Sequence, residues 1–215
     1  MTSKNVCIGS KDRIQAEKCL ARFREPLYSK NIFYHLCFCV CAPQAPYPKI
    51  SAVVAGLKSR NFFGKHIPLA ELRKIVRPVR FLRKAAYLQD LKRKWKQGKL
   101  AWIVKGRDKA WLSSFQEGNQ HQWEKAREKL VETIKGLGMK TASHFLRNMG
   151  CQDFAIIDTH ILKYMGAKSP RNPREYLALE KTFQNMSQAL GLKPAMVDAI
   201  VWKQYSGTPW QEFQY

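Results

Sequence analysis

"IKGLGMKTASHFL", residues 134–146, breaks two local rules within seven residues. Gly136 and Gly138 stand two apart, and each gives up more conformational entropy on folding than any other residue type would. Lys140 then falls in the first turn of a helix-like run, where the helix dipole disfavours positive charge. Upstream, "WEKAREKLVETI" (123–134) has the three- and four-residue apolar spacing of an amphipathic helix. Downstream, "MKTASHFLRNMG" (139–150) makes a second helix. Two helices around a Gly-x-Gly turn expose the unpaired backbone N–H groups that open the second one. Together with the helix dipole they form an anion site, and the glycines allow a phosphate to come close.

The rest of the chain supplies the anion. Its 215 residues carry 38 Lys plus Arg against 16 Asp plus Glu, a formal charge of +22. An imbalance of this size is the electrostatic footprint of a polyanion binder, and nucleic acid fits it. Basic residues concentrate between Lys58 and Lys109, notably in "RKIVRPVRFLRKAAYLQDLKRKWKQGK" (73–99), with Phe81, Tyr87 and Trp95 interleaved. Lys84 lies in this stretch, and we assign it to phosphate contact along with Gly136 and Gly138. Some of the surrounding lysines simply solvate a helix face.

Helical periodicity recurs at 11–24, 30–41, 47–58, 68–75, 80–96, 122–135, 140–148, 158–165, 173–190 and 194–205, with turn residues between. The expected class is all-α. Residues 97–121 fit either a short strand or another helix. No apolar run is long enough to span a membrane, and the first residues lack the apolar core of a secretory signal. Three of the six cysteines alternate inside "FYHLCFCVCA" (33–42) and read as core. The others form no zinc-type pairs, so neither metal nor cofactor is expected. That usage fits a reducing compartment: the cytoplasm of a prokaryote, near the nucleoid, or a eukaryotic nucleus.

Lys140 has two readings, a lysine supplementing the phosphate site or a nucleophile. An amine pushed toward its neutral form by surrounding positive charge and the helix dipole can attack an electrophilic sugar carbon. Eighteen residues on, in "FAIIDTHIL" (154–162), Asp158 precedes Thr159 and His160. Its carboxylate can cap the next helix, stabilise positive charge developing on a deoxyribose, or do both.

Hairpin, lysine and "IIDTH" at this spacing resemble the helix-hairpin-helix DNA glycosylases, the superfamily of endonuclease III and the 8-oxoguanine DNA glycosylases. Within it, "IKGLGMKTASHFLRNMG" followed by "AIIDTHIL" is most similar to the second type of 8-oxoguanine glycosylase, found in archaea and some bacteria. "FYHLCFCVCAPQ" and "VRFLRKAAYL" look like the same branch, so the likeness runs from about residue 30 to 205. The lack of cysteines after Asp158 argues against the iron–sulfur loop of endonuclease III.

The resemblance implies a two-lobed fold with the active site in the cleft between lobes. Residues 30–150 would form a barrel-like lobe carrying the hairpin, and residues 1–29 with 151–215 a second lobe. It implies that Lys140 attacks C1′, that Asp158 is essential, and that the enzyme both removes a base and cleaves the backbone by β-elimination. It further implies a monomer acting on double-stranded DNA with a damaged base. Gln44 would fill the gap left by the extruded nucleotide, or merely form a turn. Phe81 and Trp202 would flank the flipped base, although Trp202 also suits plain core, and His160 is read as structural. Members of the branch end in a lysine whose carboxylate helps read the base. Here Gln211 stands at about that place and four residues follow. Another oxidised base as substrate, or a hairpin protein that only grips DNA, therefore stays open.

Overall fold

The structure, a computed structural model, describes residues 8–24, 29–105, 120–207 and 210. Eleven α-helices and one short 3₁₀ helix (Arg22–Arg24) occur among them, and no strand. The α-helices are α1 (Ser10–Ala21), α2 (Ser29–Cys41), α3 (Tyr47–Ser59), α4 (Leu69–Ile75), α5 (Lys84–Lys96), α6 (Ala101–Lys105), α7 (Gln120–Thr133), α8 (Met139–Arg147), α9 (Thr159–Met165), α10 (Pro173–Ala189) and α11 (Pro194–Ser206). None of them is long and apolar enough to cross a membrane.

α2 is the central rod. From Ile32 to Cys41 every residue except His35 is buried, because the helix is apolar on nearly every face and packs against α3, α5 and α8. Its three cysteines are free thiols in this core. Burial lifts the Cys39 and Cys41 thiols to about 12, so they behave as inert apolar groups.

The buried apolar residues divide into one large cluster drawn from residues 32–154 and smaller ones beyond it. In the smaller clusters Ala16, Cys19 and Leu20 of α1 meet Ala195, Ala199 and Ile200 of α11, so the two ends of the chain pack together. Two buried ion pairs cross between the hairpin and the C-terminal helices. Arg127 of α7 meets Glu180 of α10 at 2.6 Å, and Arg147 of α8 meets Asp198 of α11 at 3.2 Å. Ser143 of α8 accepts a further hydrogen bond from Arg127 at 3.0 Å. The hairpin is thus locked by polar contacts as well as by packing.

Two sequence expectations change. The helix predicted from residue 80 begins at Lys84, because Phe81 sits at φ +69°, outside the right-handed helical region. Part of the undecided stretch at 97–121 is α6, and residues 106–119 lie outside the described residues.

Candidate active site

The hairpin turn gives its two glycines different reasons. Gly136 has φ +92°, a conformation L side chains rarely adopt, and a Cβ there would come within 2.6 Å of the Tyr87 ring. Fold and packing alone therefore require glycine at this position, whatever its backbone contacts. Gly138 is extended, at φ −106° and ψ −179°, and a Cβ there would meet nothing within 4 Å. Among the described residues no neighbour demands glycine at 138, and the approach to the start of α8 is open there.

Thr141 closes the end of that turn. Its hydroxyl accepts from the Gly138 N–H at 3.0 Å and donates back to the Gly138 carbonyl at 3.1 Å. The Ala142 N–H then takes the same carbonyl at 2.9 Å. The amides of Met139, Lys140 and Thr141 thus reach no backbone carbonyl among the described residues and form the helix's open N-terminus.

Lys140 is exposed and lines a cavity of about 1080 Å³. Among the described residues its ammonium has neither a hydrogen-bond nor an ion-pair partner. Asp158, His160 and Trp202 line the same cavity. Asp158 is the N-cap of α9, with Oδ1 accepting from the N–H groups of His160 at 2.8 Å and Ile161 at 3.0 Å. Oδ2 is left without a hydrogen bond among the described residues. One oxygen therefore fixes the carboxylate while the other stays available, so capping and chemistry are compatible. The fold brings an unpaired amine and a half-committed carboxylate into one cavity, each at the start of a helix.

The remaining predicted residues scatter. Trp202 lies on the cavity wall, half-buried, with its ring centroid 6.4 Å from that of His160. Gln44 is exposed at φ +55° in the α2–α3 turn, whose neighbours Pro43 and Ala45 line the cavity. Phe81 is not among the residues lining this cavity. Its ring stands among Arg83 at 4.8 Å, Arg80 at 5.2 Å and Lys84 at 6.0 Å.

The phosphate assignment of Lys84 is corrected. It is 3% exposed, and its Nζ donates to the carbonyls of Cys41 and Pro43, each at 2.7 Å. An ammonium spent on closing the end of α2 is not available to a phosphate. Burial lowers its pKa. Gln211 lies outside the described residues.

Sequence reasoning missed three cavity-lining groups. His144 sits one turn beyond Lys140, and burial, then the charges of Arg147 and Lys140, push it well below the usual histidine range. Burial and both charges favour its neutral form. Arg147 and Asp198 are the others; burial pushes the Asp198 carboxyl up to about 7 against the pull of Arg147. The signal for Asp198 was present as one acid inside the apolar run "PAMVDAIVW", four residues before Trp202.

Residues 16–192 match the family model described as 8-oxoguanine DNA glycosylase, and the chain belongs to that family. It is 32% identical over 184 residues to the 8-oxoguanine DNA glycosylase/AP lyase of Thermoplasma volcanium, covering 82% of this chain and 81% of that one. The protein of the same name from Thermoplasma acidophilum is 43% identical over 89 residues, 40% of this chain and 44% of that one. Among solved structures, the Methanocaldococcus jannaschii 8-oxoguanine glycosylase/lyase in complex with a 15mer DNA containing 8-oxoguanine is similar with a TM-score of 0.72. Sequence identity there is 26%, with 93% of each chain covered.

Proposed function

We propose that this chain is a bifunctional DNA glycosylase/AP lyase that removes 8-oxoguanine from duplex DNA. The observation that carries the reading is the pairing of Lys140 and Asp158, an unpartnered amine and a half-free carboxylate in one cavity at the tip of a DNA-type hairpin.

The open amides at the start of α8, reached past Gly138, grip a backbone phosphate. The net charge of +22 draws the duplex in. The damaged nucleotide leaves the stack, at a cost of a few kcal/mol that is smallest for a lesion, and enters the cavity with Trp202 as one wall. Lys140 as the free amine attacks C1′. The bond from C1′ to the base breaks, and Oδ2 of Asp158 stabilises the positive charge spread over C1′ and the ring oxygen. Loss of the amine protons and opening of the sugar ring give a Schiff base. Removal of a C2′ proton then expels the 3′ phosphate.

In this reading residues 30–150 form one lobe, and residues 1–29 with 151–215 the other. The separate apolar clusters on either side of residue 154 support that division. The protein acts as a monomer in the compartment that holds the chromosome, which suits its five free, buried described cysteines. The test is base release and strand scission on duplexes carrying 8-oxoguanine opposite each of the four bases. Release of 8-oxoguanine with scission at its site is expected. Binding without either reaction would leave a protein that only grips DNA, and release of a different oxidised base alone would reassign the lesion.

A further inference from the structure

α11 carries one carboxylate within its buried face. Asp198 is 2% exposed, between Val197 and Ala199, which are wholly buried. Its Oδ2 accepts from Nη1 of Arg147 at 3.2 Å and from the backbone N–H of Ile156 at 3.2 Å. The positions of these donors matter more than their number. Arg147 ends α8, the helix whose second residue is Lys140. Ile156 lies two residues before Asp158, and Asp198 itself is one helical turn before Trp202. A single oxygen therefore joins the three segments that carry amine, carboxylate and aromatic wall to the cavity.

Stability does not require such an arrangement. A buried ion pair is commonly no more stabilising than well-packed apolar side chains of similar volume. The charged groups facing Asp198 are Arg147 and Asp158, and the charge of Asp158 adds to the burial that raises the Asp198 carboxyl. Asp198 and Asp158 line the same cavity as Lys140.

We propose that Asp198 is a positioning residue, whose carboxylate sets the placement of Asp158 relative to Lys140 by pinning Ile156 and Arg147 to α11. The proposal rests on the glycosylase/lyase reading for its effect on rate, though not for its effect on structure.

The experiment compares the full-length wild type with Asp198→Asn and Asp198→Ala. Asparagine keeps an oxygen for the Ile156 N–H and loses the charge facing Arg147, whereas alanine loses both. Single-turnover borohydride trapping on an 8-oxoguanine duplex should fall about 10-fold for Asp198→Asn and about 100-fold for Asp198→Ala, with KM within about 3-fold of wild type. A role in stability alone would not give that graded fall in rate at constant KM in folded protein. Hydrogen–deuterium exchange over residues 154–158 should quicken in the same order. Wild-type trapping and wild-type exchange in folded Asp198→Asn would overturn the proposal. A wild type that traps no adduct refutes the Schiff-base lyase part of that reading, and the exchange measurement alone then decides the clamp.

Discussion

Replacing each hairpin glycine by alanine separates fold from function at a single turn. At Gly136 the new side chain must accept φ +92°, which costs about 1–3 kcal/mol. Its Cβ must also displace a Tyr87 ring 2.6 Å away, adding about 1 kcal/mol or more. A total near 3 kcal/mol lowers the melting temperature of a chain this size by about 6–12 °C. At Gly138 the backbone is extended and the added methyl meets open space. Alanine is a poorer N-cap than glycine but restricts the unfolded chain, and these terms nearly cancel, leaving a change within about 1 kcal/mol. The methyl stands where a phosphate would approach the open amides. A lost charge-assisted hydrogen bond of about 1.5–3 kcal/mol weakens duplex binding by about 10-fold or more. Thermal unfolding and fluorescence anisotropy on an abasic-analogue duplex read the two effects. Gly138→Ala binding like wild type would remove the hairpin from phosphate contact, and Gly136→Ala melting like wild type would refute the strain argument.

Asp158→Asn should stay within about 0.5 kcal/mol of wild-type stability, because asparagine caps a helix as well as aspartate does. Its single-turnover base release should nevertheless fall by about 100-fold or more; near-normal release would leave Asp158 with capping alone. Lys84→Met strands the carbonyls of Cys41 and Pro43 and should destabilise by about 2–4 kcal/mol in chemical denaturation. The salt dependence of its DNA affinity should match wild type, whereas loss of a true phosphate contact would reduce the slope by about one. His35 is held at about 4 by burial, then by the Lys58 charge, against an ordinary value of 6.5. Its folded value is depressed, so its contribution is complete above pH 6.5 and is lost as pH falls from 6.5 toward 4, up to about 3 kcal/mol. His35→Gln should flatten that acid limb in melts taken across the range, and an unchanged limb would refute the assignment.

Most of the helices were legible because the apolar spacing of each matched its own buried face. Lys140 and Asp158 were singled out because a hairpin lysine and an "IIDTH" segment stand at a spacing that resembles the helix-hairpin-helix DNA glycosylases, and the structure puts both on one cavity. The failures came from contacts distant in sequence. Around Phe81 the helical pattern runs on without interruption, yet the backbone turns left-handed there. Lys84 sits in a basic run that reads as surface, and its burial depends on carbonyls 41 and 43 residues away. Asp198 finds its guanidinium 51 residues back, so the charge inside an apolar helix was visible while its partner was not.

The central claim is that the Lys140 amine forms the bond to C1′. Borohydride reduction during turnover on an 8-oxoguanine duplex, followed by peptide mapping, tests it most directly. The account predicts one adduct, on the peptide containing Lys140, and none in a folded Lys140→Gln variant that still binds the duplex. An adduct on another lysine, or one that persists in Lys140→Gln, would contradict it.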